Sequence, residues 1–334
     1  MRSGWKRAAL ACLFMAGLSS SLLAADKITI MVSGIDKLIY LPAKLADRLG
    51  YLKETGLDVE LLSEAAGSNA ETEMLSGVAQ GVIGFYDHTI SLQARGKPVQ
   101  SVIQLTLTPG EAILVSQKAA TEIRSVADLN KKVVGVTGLG SSTYHLTRHI
   151  VAKAGLKPTD YRIIPVGGGS SFSAAISKSE IDAGMTTEPT VSRLLAAGTA
   201  SLLVDLRTAA ATSAALGGPY PGACLYMPTS WVGKNEDKVR KITGALVKSL
   251  RYIHEHTAEE VAAQLPESFF GNDRALYVRV LEASKPMFSP DGLMPDGGPA
   301  TVLEVLKTSE KSVQTKPVNL ANTYTNRFVA PAAR

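Results

Sequence analysis

Cysteine is nearly absent, with only Cys12 and Cys224 in 334 residues. So few thiols exclude a disulfide scaffold, a Cys-x-x-Cys zinc or cluster site and thioredoxin-type redox work. No stretch after Asp26 reaches the roughly 20 apolar residues of a membrane span, and no repeat or low-complexity tract occurs. There is no Gly-x-Ser-x-Gly elbow and no His-Glu-x-x-His, which removes two common hydrolytic patterns. A phosphate loop over residues 135–141 fails because Ser141 stands where Lys is required. A dinucleotide turn over residues 138–143 is weak, since it ends in Thr143 rather than Gly or Ala.

What is present is an ordinary globular composition, 45% apolar and 19% charged. The length exceeds the roughly 250–300 residues at which single cores stop growing, so two lobes are expected. Arg2, Lys6 and Arg7 precede an uncharged apolar segment that ends in Leu23-Ala24-Ala25. That pattern reads as a cleaved secretory signal peptide over residues 1–25. Its removal lowers the formal charge from +5 to +2, which leaves no case for a nucleic-acid partner. It also leaves Cys224 alone, in the apolar run 223–227, where a buried structural thiol is expected rather than a nucleophile.

The remaining chain alternates short β-branched runs with helical segments, which implies βαβ units and mostly parallel sheets. Strands are expected at 28–32, 58–62, 82–86 and 99–105, with helices at 42–49, 69–76 and 89–94. The same grammar restarts near Ser125, where Ser125 and Asp128 form a variant capping box. Further strands follow at 132–136, 161–166, 181–185 and 202–204. After a Gly/Pro-rich break at 217–222 the chain is mostly helical, with a long amphipathic segment at 236–256. The expected organisation is two α/β lobes crossed near Ser116 and near Asp205, giving segments 26–117, 118–213 and 214–334.

Polar or glycine-rich turns follow several predicted strands: Ser33, Gly34 and Asp36; Gly67 to Asn69; Asp87 and His88; Ser141, Ser142 and Thr143; and Gly167 to Ser171. Free amides and hydroxyls at a helix start suit an anion, although each residue also serves as an ordinary N-cap. Several such turns shared by two lobes favour a ligand cleft between them. Glu188, before Pro189, is either a cleft carboxylate for a ligand ammonium or hydroxyl, or a solvated loop residue. Tyr220 is either a cleft aromatic or a packed hinge residue. His145 and His149 lie four apart on one helix without an obvious third metal ligand. No metal and no cofactor are expected.

These turns sit in a wider pattern. Residues 39–42, 45–46, 49–60, 76–84, 94–98, 125–129, 132–136, 140–142, 180–183 and 188–189 together resemble periplasmic solute-binding proteins of the nitrate/sulfonate/taurine/bicarbonate type, NMT1/THI5-like. The resemblance implies a two-lobe type II periplasmic binding fold, each lobe a mostly parallel sheet flanked by helices, with a helical C-terminal section. It implies a monomeric capture component of an ABC importer, located in the periplasm and handing a small anionic solute to a membrane permease. Alternatives are an aromatic carboxylate or a pyrimidine ligand, or a periplasmic enzyme using Asp87, His88 and Glu188. In that family the strand-end turns and the Gly-Ser-Ser helix start contact the ligand, which points to Ser33, Gly34, Asp87, His88, Ser141, Ser142, Thr143 and Glu188. Gln80 departs from the pattern, which usually has Asp there. The superfamily also contains pyrimidine-precursor synthases with a cysteine-rich motif. This chain lacks the motif, so no enzymatic activity is expected.

Overall fold

A computed structural model describes residues 27–329; the expected signal peptide lies outside the described residues. Two five-stranded sheets form. The first contains β1 (Ile28–Val32), β2 (Val59–Ser63), β3 (Gly81–Phe85), β4 (Val99–Gln104) and β10 (Ala223–Pro228), in the order β2-β1-β3-β10-β4. The second contains β5 (Glu111–Ser116), β6 (Val133–Val136), β7 (Arg162–Pro165), β8 (Ala183–Thr187) and β9 (Ala200–Leu206), in the order β7-β6-β8-β5-β9.

Each sheet has four strands running in one direction and one antiparallel insertion. β10 runs against β3 and β4, and β5 runs against β8 and β9. The cause lies in the chain path. β4 ends at the carboxyl edge of the first sheet, and the chain crosses there, so β5 must start at that edge and run away from it. The return from β9 to β10 repeats the manoeuvre. Registers agree: Glu111, first in β5, pairs with Thr187 and Leu206 near the ends of β8 and β9, and Ala223, first in β10, pairs with Phe85 at the end of β3.

This corrects the expected boundaries. The first crossing falls between Gln104 and Glu111 rather than near Ser116, because residues 111–116 form a central strand of the second sheet. The sheets are mostly parallel, as expected, with one antiparallel strand in each. Central strands β3, β5 and β8 are buried along their whole length, as strands covered on both faces must be. Edge strands β2 and β7 are partly exposed.

Helices α1 (Leu41–Arg48), α2 (Gly67–Leu75) and α3 (Asp87–Ala94) flank the first sheet, and α4 (Ser142–Lys153), α5 (Gly169–Ser177) and α6 (Thr190–Ala196) the second. Pro42 falls in the first turn of α1, where its missing N–H costs nothing. The long helix Glu236–Glu255 buries Val239, Ile242, Leu246, Leu250 and Ile253, one stripe at helical spacing, and packs against α1. Ser125 and Asp128 form the expected capping box, the Asp128 carboxylate accepting from the Ser125 amide at 2.8 Å, and Thr257 and Glu260 form a second. Gln80 does a similar task by side-chain means, its Oε1 accepting from Thr29 N at 2.7 Å across the entry to β3.

The second sheet has its own core on one face, where Phe172 meets Ala112, Leu114, Ile176, Ile181 and Val191. Phe172 is fully buried, and truncating such a ring typically removes about 3–5 kcal/mol. Phe172→Ala should therefore lower unfolding stability by about 3–5 kcal/mol in urea denaturation. A loss below about 1 kcal/mol would mean that this face repacks freely.

Candidate functional site

The carboxyl edges of the two sheets face each other, and the groups between them come from both lobes. Leu38 N donates to Glu188 O at 3.0 Å, tying the turn after β1 to the end of β8. The inner cavity is a narrow space of about 10 Å³, lined among others by Lys37, Tyr40, Phe85 and His88 on one side and Glu111, Thr137, Ser142 and Thr187 on the other. A volume of that size holds about one water molecule, so in this arrangement of the lobes the space is closed to anything larger.

Lys37 is buried, and burial lowers its pKa to about 8. Its Nζ donates to the Ser33 carbonyl at 2.5 Å and to the Ala65 carbonyl at 3.3 Å. Glu111 is buried opposite, and burial raises its carboxyl to about 8, aided by nearby Asp87. Ser142 Oγ donates to Glu111 Oε1 at 2.7 Å, while Oε2 has no partner. Behind these, burial also raises Asp87, and neither of its oxygens has a hydrogen-bond partner. His88 Nδ1 pairs with Tyr226 Oη at 2.9 Å, and its buried, unpartnered Nε2 is 3.8 Å from Asp87 Oδ1. Burial lowers the His88 pKa, so the neutral ring is favoured.

The start of α4 forms the other wall. Thr137, Ser141 and Thr143 join their hydroxyls in a triangle with edges of 2.9–3.0 Å, and Ser141 Oγ also donates to Gly138 O. The first amides of any helix have no intrahelical acceptor, so those of Ser142 and Thr143 are available to an acceptor in the cavity. With Lys37 they make a donor set suited to an anionic group.

Of the residues singled out from sequence, His88, Ser141, Ser142 and Thr143 line the inner cavity, and Ser33, Asp87 and Tyr220 are buried close behind it. Gly34 and Asp36 line an outer groove with Lys37 and residues 167–171. Asn69 is exposed on α2 and lines neither space. Glu188 is not a solvated loop carboxylate, and its oxygens are already engaged: it accepts from Ser192 N at 3.0 Å and Ser192 Oγ at 2.8 Å, and pairs with Arg207 at 2.7 Å. The latter contact points it away from the inner cavity, into a groove near the second crossing. His145 and His149 turn instead to the C-terminal section, with His145 Nδ1 2.7 Å from Ser309 Oγ. Cys224 is a buried free thiol, as expected.

Sequence reasoning missed Lys37 and Glu111, the two charged groups of the cavity wall. Lys37 ends the turn 33–36, and Glu111 follows Pro109-Gly110 at the start of a strand; both positions become telling only once the strand edges are placed.

The fold is that of periplasmic binding proteins, and comparison with known proteins agrees. Residues 40–260 match the family described as NMT1/THI5 like, and the chain belongs to that family. A solved protein from Bordetella bronchiseptica RB50 is 34% identical, with a TM-score of 0.86 over 91% of this chain and 95% of its own. The alkanesulfonate-binding protein SsuA of Xanthomonas axonopodis pv. citri, solved with MOPS, is 20% identical with a TM-score of 0.70, over 90% of this chain and 98% of its own. A 4-amino-5-hydroxymethyl-2-methylpyrimidine phosphate synthase of Saccharomyces cerevisiae is 30% identical over 168 residues, half of this chain and 47% of that protein. The chain thus spans about half the length of that synthase. Similar matches are to synthases of Schizosaccharomyces pombe and Legionella pneumophila. These overturn the expectation of no enzymatic activity, since the relatives include named enzymes.

The site also sets a pH signature. Glu111 has a folded pKa of about 8, above its ordinary value of 4.5. Between those values the unfolded chain ionises while the folded one keeps its proton, so stability falls as pH rises from about 4.5 to about 8. Glu111→Gln mimics the protonated form and can still accept from Ser142. It should match the parent at pH 4.5 and exceed it by a few kcal/mol (about 2–4) at pH 8.5 in chemical denaturation. Equal stabilities at both pH values would contradict the burial of an uncompensated carboxyl.

Proposed function

We propose that the chain is the solute-capturing component of an ABC-type importer. Exported by its N-terminal segment, it closes two lobes on a small polar solute in the periplasm and presents the closed form to a membrane permease. The observation that carries this reading is the convergence of buried polar groups from opposite lobes, Lys37 and His88 against Glu111 and Ser142, on one cavity. A space enclosed from both sides admits a solute only when the lobes part, so binding and closure become one event.

The donor set of Lys37 and the first amides of α4 supports a solute with an anionic group. That group would accept the α4 amides and the Lys37 ammonium in a site stripped of water, where charge-assisted bonds are short and strong. A second reading is favoured by the identity shared with the pyrimidine phosphate synthases. There, Tyr40 and Phe85, which line the cavity, would hold a pyrimidine ring.

A thermal-shift panel of alkanesulfonates, nitrate, bicarbonate, short carboxylates and pyrimidines separates these. A bound solute at 100 times its Kd should stabilise the protein by about 2.7 kcal/mol, visible as a raised Tm. Shifts confined to pyrimidines would select the second reading. No shift with any compound would refute both.

A further inference from the structure

The groove beside the second chain crossing is a recognition surface separate from the inner cavity. We propose that it binds a small, doubly charged oxyanion such as phosphate or sulfate, clamped between Arg207 of the second lobe and Arg279 of the C-terminal section.

The first observation is a polar space that the inner cavity does not share. The groove measures about 270 Å³. One wall carries Glu188, Ser192, Asp205 and Arg207; the other is the helix Arg274–Ser284, which presents Arg279 and Ser284. None of these residues lines the inner cavity.

The second observation is which groups in the groove are already engaged. Asp205 Oδ1 accepts from Arg207 N at 2.9 Å and Nε at 2.8 Å, and Oδ2 accepts from Nη2 at 2.8 Å. Glu188 Oε1 accepts from Arg207 Nη1 at 2.7 Å and from Ser192 Oγ, and Oε2 accepts from Ser192 N. All four carboxylate oxygens thus have partners, which leaves neither acid to take a cation or to draw Arg279 across. Arg279 is exposed and has no hydrogen-bond or ion-pair partner among the described residues. A guanidinium also carries more N–H groups than Arg207 gives to these acids. Two acids offset two arginines, so the groove is close to neutral in charge. Its unused capacity is donor capacity, and such a site selects an acceptor-rich ligand.

The third observation is the shape of the donors. Guanidinium forks pair with oxyanions through two parallel N–H bonds, which are short and strong. Two forks on opposite walls match a ligand that offers an oxygen edge to each. A carboxylate has one such edge, whereas tetrahedral phosphate and sulfate have several.

Position gives the site a consequence, which rests on the two-lobe motion proposed above. Arg207 opens the second crossing, and its carbonyl accepts from Thr108 Oγ1 of the first crossing at 3.3 Å. The helix of Arg279 leads into residues 287–289, where Leu107 N donates to Met287 O at 2.7 Å and Ser289 N donates to Leu105 O at 2.9 Å. The groove therefore joins the second lobe to the segment that clasps the first crossing. An anion bound to both walls favours one spacing of them and biases the lobes towards the form described here.

Thermal unfolding of the purified protein tests the site, with phosphate titrated at mildly alkaline pH and chloride holding the ionic strength constant. The Tm should rise and saturate, as for a ligand that binds the folded form alone. Sulfate should act likewise and acetate weakly. Arg279→Gln, which breaks no contact in the fold, should weaken the apparent phosphate affinity by about tenfold or more. No rise in the parent would overturn the site. A rise that is linear in phosphate and survives Arg279→Gln is exclusion of the salt from the surface and would also overturn it. A saturable rise kept in full by Arg279→Gln would put the anion elsewhere and overturn the groove. None of these results touches the capture reading, which Arg279 does not enter. Small-angle scattering reads the coupling: phosphate should lower the radius of gyration of the parent and leave that of Arg279→Gln unchanged. An unchanged radius in the parent at saturating phosphate would remove the bias on the lobes.

Discussion

Both chain crossings take place at the carboxyl edges of the sheets, and this constraint governs the rest of the molecule. It makes β5 and β10 antiparallel, and it brings the first residues of each to the same edge as the last residues of the parallel strands. Helix starts gather at that edge because each parallel strand turns there into its helix. Amides and hydroxyls therefore converge on the space between the lobes without any special motif, which is why open α/β sheets bind ligands at this edge. Glu111 owes its position to the crossing alone.

Closing that space has an electrostatic consequence. Lys37, Asp87, His88 and Glu111 lose water together, and burial moves each towards its neutral form. Lys37 and Glu111 shift in opposite directions to about the same value, about 8. A closed form with poorly paired ionisable groups is less favourable than one in which a solute supplies the missing partners. The same desolvation that penalises empty closure strengthens each contact with a bound solute. In the capture role proposed above, ligand affinity and lobe closure are coupled through one set of side chains.

Much of this was legible in the residues. Alternating strands and helices announced two α/β lobes, and the polar turns at Ser33, Asp87 and His88, and Ser141 to Thr143 marked the edge where they meet. β5 was hidden, because six residues buried on both faces show no alternation and begin with a charge. With it went Glu111. Lys37 was hidden for a different reason: a lysine five residues after a strand looks like surface until Gly168 of the second lobe is found beside it, where a Cβ would stand 3.2 Å from Lys37 Cε. Glu188 was visible, but its partner Arg207 lies 19 residues away across the sheet. No local spacing could reveal that ion pair. The resemblance identified the family correctly and misjudged its enzymes, since the matched portion is shared between binders and named synthases.

Two lobes that close on a solute held at their facing strand edges must part to admit it. Ser68 of the first lobe stands beside Gly138 of the second across the mouth, where a Cβ added at Gly138 would come within 3.1 Å of Ser68 Oγ. Spin labels at Ser68 and at the exposed neighbour Leu139, with buried Cys224 replaced by Ser, report that distance in solution by pulsed electron resonance. A long, broad distribution should collapse to a short, narrow one when a stabilising solute is added. A distribution unchanged by a solute that demonstrably binds would contradict closure.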